Sequence, residues 1–95
     1  MPAIGVLTLE LRIEYAHSLK EKRHLVKSLK EKLRNRHNVS VAEIEYQDLW
    51  QRSILAAVTV SSDRIHAQQV LQAVEQDAAN QAGPCLVSVQ TEWIE

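Results

Sequence analysis

From Leu7 to Glu14 the chain alternates without a break. Leu7, Leu9, Leu11 and Ile13 fall on one parity, and Thr8, Glu10, Arg12 and Glu14 on the other. A period of two over this length is a β-strand with one buried face, so Ala3 to Glu14 is predicted as strand. Such a strand needs neighbours beside it and a layer over its apolar face, and the rest of the chain has to supply both. The period then becomes helical, with Leu25, Val26, Leu29 and Leu33 in one stripe. Ser18-Leu19-Lys20-Glu21 ahead of them has the form of a capping box. In that box the Ser18 hydroxyl accepts from the Glu21 amide and the Glu21 carboxylate reaches back to the Ser18 amide. The helix is predicted to end near Arg34 to Arg36, where cations suit the negative end of its dipole.

Asn38 to Tyr46 reads as a second strand whose phase breaks. Val39 and Val41 share a face that Glu43 and Glu45 then occupy, which a bulge near Ala42 would reconcile. A polar connection, Gln47 to Arg52, carries Trp50, and Ile54, Ala56, Val58 and Val60 mark a third strand. Ser61-Ser62-Asp63 is an N-cap cluster opening a second helix with the stripe Ala67, Val70, Leu71, Val74 and Ala78. Gly83-Pro84 stops that helix, and Cys85, Val87, Val89 and Trp93 are expected to line one face of a last strand. The order β-α-β-β-α-β, with two right-handed crossovers sharing one sheet, is α+β. It predicts a ferredoxin-like sandwich: a four-stranded antiparallel sheet with two helices on one face and the other face bare. With no linker or low-complexity run in 95 residues, positions 1–95 are read as a single domain.

Three stretches, His17-Ser-Leu-Lys-Glu-Lys-Arg23, Asn38-Val-Ser-Val-Ala-Glu43 and Gln47-Asp-Leu-Trp-Gln-Arg52, together resemble the YlxP-like family of small bacterial proteins of unknown function. The similarity runs essentially end to end. It implies a ferredoxin-like fold and a bacterial cytosolic protein, of a kind often encoded among translation and ribosome-maturation genes. It brings no catalytic residues with it. The chain's own features agree with an intracellular setting. Cys85 is the sole cysteine, the N-terminus lacks a basic signal-peptide start, and the nearly apolar run Ser53 to Val60 is far shorter than the roughly 20 residues of a membrane span.

The net charge of −1 hides a polarised molecule. Eight of the eleven Lys and Arg residues lie between Lys20 and Arg36 against only Glu21 and Glu31, a surplus of six, and the remainder of the chain is negative by seven. Lys20, Arg23, Lys27, Lys30 and Arg34 follow a 3-4-3-4 spacing that makes one helical stripe, which Arg36 extends beyond the helix end. Stripes of this kind track phosphate backbones, so these six residues are the candidate RNA-binding set. A solvated helix face is the plain alternative, although few acids stand at i,i+4 to pair with the cations. RNA stacked on the bare sheet is disfavoured, because that face offers Val6, Thr8, Glu10 and Arg12 and the chain has no Phe.

The bare face is instead a candidate protein interface. Ile4, Val6 and Thr8, with Leu55, Ala57 and Leu86 taken as the outward phase of the later strands, would form an apolar patch that pairs with its own copy. The expected state is therefore a homo-oligomer, most simply a dimer. Trp50, with Arg52 beside it, is a second candidate interaction site, since an exposed loop Trp is a common binding anchor. The competing and favoured reading folds Trp50 over the core edge, with Asp48 and Arg52 fixing the turn.

Chemistry finds little support. His17, His24, His37 and His66 are scattered without ligand spacing, and no metal or cofactor is expected. His17 beside the helix start would sit near any bound anion, but it reads more simply as a loop residue. Tyr15-Ala16-His17 lacks the arginine and glycines that an acylphosphatase-like loop would use. Ser61, Ser62 and Asp63 are capping residues, Cys85 reads as a small buried hydrophobe, and there is no Gly-rich phosphate loop. No catalytic residue is assigned. The sequence is read as a non-enzymatic accessory protein that meets RNA phosphates through its basic first helix, in translation or ribosome maturation. The alternative is a homodimeric protein-interaction or small-ligand-sensing module without nucleic-acid affinity.

Overall fold

A computed structural model describes residues 1–94, in which every expected element is present. The order is β1 (Ala3–Arg12), α1 (Leu19–Arg36), β2 (Ser40–Glu45), β3 (Arg52–Ser61), α2 (Arg64–Ala82) and β4 (Leu86–Ile94). The four strands form one sheet in the order β2-β3-β1-β4, with every neighbouring pair antiparallel. Both helices cover one face, α2 lying over β1 and β3 and α1 between α2 and β2. The fold is the ferredoxin-like sandwich. Its core joins Leu7, Leu9 and Leu11 of β1 and Leu55 and Ala57 of β3 to Val26, Leu29 and Leu33 of α1 and Leu71, Val74 and Ala78 of α2. Among the described residues no helix is long and apolar enough to cross a membrane.

Register decides which face each strand presents, and it reverses one expectation. Leu9 pairs with Leu55, Leu7 with Ala57 and Leu11 with Ser53. Leu55 and Ala57 are therefore fully buried under the helices, and Ile54, Ala56, Val58 and Val60 lie on the open face. Leu86 likewise packs against the core rather than facing outward. Parity alone could not choose, because β3 is apolar on both faces. In β4 the register slips between Glu10 and Leu11 of its partner, so Leu86 and Val89 both reach the core while Val87 turns to solvent. The bulge in β2 falls between Glu43 and Glu45, not near Ala42.

The caps behave as their chemistry requires, with one shift. Ser18 Oγ accepts from the Glu21 amide at 3.1 Å, but the Glu21 carboxylate takes its hydrogen bond from the His17 amide (2.8 Å), one residue earlier than a capping box predicts. Asp63 caps α2 by accepting from the Ile65 amide at 3.1 Å. At the end of α2, Gly83 takes φ +57, a left-handed conformation suited to glycine, and its amide bonds Ala79 O. A short 3₁₀ turn, Gly83–Cys85, then leads into β4, so Cys85 belongs to the turn and is only partly buried.

Candidate functional site

Helix geometry divides the eight cations of the Lys20–Arg36 segment into three groups. Lys22 falls in step with Val26, Leu29 and Leu33 and is buried with them at 0% exposure. Its Nζ lies 2.6 Å from Glu43 Oε2 and donates to Tyr46 O at 2.7 Å, and Ser53 Oγ donates to the same Glu43 oxygen at 2.6 Å. This cation holds α1 to the end of β2 and gives nothing to the surface. Glu43 was the apparent misfit of β2, and it keeps the inward phase because its partner is there.

The second group faces α2. Lys32 Nζ donates to Gln81 Oε1 at 3.2 Å, and Arg36 Nη1 meets Asp77 Oδ1 at 2.9 Å. His37 Nε2 lies 2.9 Å from the other Asp77 oxygen. Burial alone would push the Asp77 carboxyl up. The His37 hydrogen bond, the Arg36 charge and a hydrogen bond from Gln81 outweigh it and hold the carboxyl below its ordinary value. Arg36, expected to prolong the basic stripe, is thus tied across to the neighbouring helix, with half of its side chain still exposed.

The third group is the stripe itself. Lys20, Arg23, Lys27 and Arg34 are exposed and Lys30 is half-buried. None of the five makes an ion pair among the described residues, and Glu31, one turn after Lys27, leaves that lysine free. Successive helical residues are about 100° apart, which sets these five on the flank turned away from α2. That flank runs beside β2, an edge strand of the sheet. From Lys20 to Arg34 it spans about 21 Å.

The β2–β3 connection stands at the N-terminal end of this stripe. Ile13 N donates to Gln51 O at 2.9 Å, and Gln51 Nε2 donates to Glu14 O at 3.0 Å and Ala16 O at 3.3 Å. Leu49 N closes the turn on Tyr46 O at 3.0 Å, the carbonyl that Lys22 also reaches. Tyr46 adopts φ +66, unusual for a residue with a Cβ, and these two donors fix it there. Trp50 and Leu49 are left 52% and 46% exposed, so Trp50 does not close over the core edge as the favoured sequence reading had it. Nor does Arg52 fix the turn with Asp48. Its Nη2 donates to Glu10 Oε2 at 2.8 Å, and its guanidinium lies 4.2 Å over the Tyr46 ring. The bond to Glu10 raises the Arg52 pKa above its ordinary value.

On the open face Ile4 stands between Val60 and Ile94, and Val6 beside Val58. Val60 and Ile94 are more than half exposed. Glu10 and Arg52 border this apolar patch at the opposite end of the strands. A cavity of about 130 Å³ opens between α1, α2 and the end of β1, lined by Leu11, Ile13, Leu25, Leu29, Tyr15 and Cys85 among others. Among the described residues no three His, Cys, Asp or Glu side chains gather as a metal-binding group.

Comparison with known proteins agrees with this architecture. The profile of a family described as "Protein of unknown function (DUF503)" matches residues 4–91. The uncharacterized protein YlxP of Bacillus subtilis (strain 168) is 44% identical over 71 residues, 75% of this chain and 77% of YlxP. Two solved structures are similar in fold alone. The de novo designed protein Foldit4 superposes with a TM-score of 0.60 at 10% identity, over 100% of this chain and 98% of its own. A putative antibiotic biosynthesis monooxygenase from Bordetella bronchiseptica gives 0.54 at 12% identity, over 98% and 96%.

Proposed function

The chain belongs to the DUF503 family of proteins of unknown function, and we propose that it acts as a non-enzymatic accessory protein that docks on RNA phosphates through the free flank of α1. One observation carries this reading. Three of the eight clustered cations are tied into the fold, and the other five stand together on one flank without an acidic partner among the described residues. A solvated helix would ordinarily interleave acids at i,i+4, whereas an array of unpaired cations is an electrostatic footprint for a polyanion. The contacts would be to backbone and shape rather than to base edges. The setting that goes with this reading is the cytoplasm, at a step of translation or ribosome maturation.

Five phosphate contacts give a log–log salt slope of about −3.5 on single strands and about −4.5 on a duplex. On single strands that is a loss of about a hundredfold in affinity between 50 and 200 mM salt. Fluorescence-polarisation titrations with RNA fragments over this range test it. The double reversal Lys27→Glu with Lys30→Glu should abolish binding while the circular dichroism spectrum stays unchanged. Binding retained by that variant would refute the assignment to α1.

A second reading is favoured by a separate observation, the apolar rows of the open sheet face. An antiparallel sheet with a solvated face is ordinarily polar there. Ile4, Val6, Ile54, Val58, Val60 and Ile94 instead make that face a candidate interface for a second copy. Light scattering at micromolar concentration distinguishes the states: a dimer that Val58→Lys dissociates supports this reading, and a monomer removes it.

A further inference from the structure

We propose that Trp50 and the α1 stripe form one composite site for single-stranded RNA, with phosphates on the cations and an unpaired base stacked on the indole. This rests on the reading of α1 as a phosphate-binding flank and adds to it the class of RNA.

The chain has four aromatic residues, Tyr15, Tyr46, Trp50 and Trp93. Tyr15 is 56% exposed but lines the cavity beside Leu25 and Cys85 and offers a smaller ring than an indole. Tyr46 carries the Arg52 guanidinium over its ring, and Trp93 carries that of Arg64 at 4.5 Å while packing on the core. Trp50 has no such cover, and its indole N–H makes no hydrogen bond among the described residues. About half of its surface is open to solvent. An exposed indole on a mobile loop would be unremarkable, but this loop is pinned at both ends. Its Tyr46 end accepts from Lys22 and Leu49, and its Gln51 end is hydrogen-bonded to Ile13, Glu14 and Ala16. The ring is therefore presented on a backbone already ordered, which lowers the entropic cost of stacking on it.

The same anchors determine where the ring stands. Glu14 and Ala16 lead directly into α1, and Lys22 lies in its first turn, between Lys20 and Arg23 of the stripe. The two ends of the aromatic loop and the first turn of α1 thus share one end of the molecule, and the composite site takes a strand that runs along α1 toward its N-terminus and on to Trp50. Asp48 is the carboxylate nearest in sequence to Trp50, and it disfavours a phosphate over the loop itself while leaving the apolar ring open to a base. In a duplex the bases already stack on one another and present no face, so the indole rewards only unpaired nucleotides.

The experiment measures the affinity of the full-length chain for a single-stranded oligouridylate and for a duplex RNA of equal phosphate count, at two salt concentrations. A Trp93→Phe background makes Trp50 the sole tryptophan reporter. The expected result is quenching of Trp50 fluorescence by the single strand, with Trp50→Ala weakening single-strand binding about tenfold. The salt slope and the duplex affinity should stay unchanged. Trp50→Phe should recover most of the loss, which separates stacking from any disturbance of the loop. Equal binding by wild type and Trp50→Ala, or an equal loss on duplex, overturns the composite site. If binding then remains salt-dependent and sensitive to the Lys27/Lys30 reversal, the phosphate reading survives alone. An absence of RNA binding at low salt overturns both.

Discussion

The buried Lys22–Glu43 pair makes the sharpest prediction of this fold, because its two members are buried to different extents. Lys22 is at 0% exposure, whereas Glu43 retains 14%. Removing one partner of a buried ion pair costs about 3–5 kcal/mol, since the other charge stays behind uncompensated. In Lys22→Met the Glu43 carboxylate keeps the Ser53 hydroxyl and some access to water, and Tyr46 O keeps its bond from Leu49 N. That variant should fall at the low end, about 3 kcal/mol. In Glu43→Leu the ammonium is left wholly inside with one carbonyl, and the loss should reach about 5 kcal/mol. Against a total stability of about 5–14 kcal/mol for a chain of this size, either change is severe. With a urea m-value of about 1 kcal/mol/M, Lys22→Met lowers the midpoint by about 3 M. The double variant Lys22→Met with Glu43→Leu leaves only Ser53 without its acceptor, and should lie within about 2 kcal/mol of wild type. Urea titrations of the four proteins complete the cycle. Single variants that match the wild-type midpoint, or losses that simply add, would refute the claim that the pair anchors α1 to β2.

Two further outcomes follow from the packing. Asp77 is held below its ordinary pKa, so its contribution is present above about pH 4 and is lost as pH falls through its depressed folded value. Thermal melts should show Asp77→Asn less stable than wild type at pH 6, with the two curves converging toward pH 3; a constant gap would contradict the His37–Asp77–Arg36 link. Gly5 is buried where a Cβ would lie 2.6 Å from Leu71 Cδ1 and 2.9 Å from Trp93 Cζ3. Gly5→Ala should therefore cost about 2 kcal/mol and lower the melting temperature by about 10 °C, with a change in Trp93 fluorescence.

Much of the fold was legible because its signals were strong where they mattered. The unbroken alternation of β1, the stripe of α1 and the caps Ser18 and Asp63 set element type and order. The faces of β3 were not legible, because Ile54, Ala56 and Val58 compete with Leu55 and Ala57 on hydrophobicity alone and only pairing with β1 selects between them. The surface charge of α1 was legible in kind but overstated, since counting cations ignores where each points. A signal for Lys22 was present: it lies four residues before Val26 in the buried stripe, and Glu43 sits out of place on the inward phase of β2. Two misplaced charges of opposite sign, on elements that the fold brings together, identify each other as partners. The exposure of Trp50 had no comparable signal, because most of the groups that pin its loop, the Lys22 ammonium and the backbone of Ile13, Glu14 and Ala16, belong to residues distant in sequence.

The threefold division of the α1 cations can be resolved by replacing each with Ala and measuring stability and salt-dependent RNA affinity side by side. Lys20, Arg23, Lys27, Lys30 and Arg34 should each reduce the salt slope by about 0.7 on a single strand and leave stability within about 0.5 kcal/mol. Lys22→Ala should lose stability, and any loss of affinity it shows should follow the unfolded fraction. Lys32→Ala and Arg36→Ala, whose side chains are directed at Gln81 and Asp77, should leave the slope close to wild type. Arg36 decides the matter most directly, because its side chain remains half exposed and its charge lies within a helical turn of Arg34. A slope reduced as much by Arg36→Ala as by Lys27→Ala would mean that bound RNA crosses onto the α2 side, breaking the Asp77 contact as it does so. An unchanged slope confines the phosphate track to the flank beside β2, the side on which the backbone hydrogen bonds of an edge strand are also free.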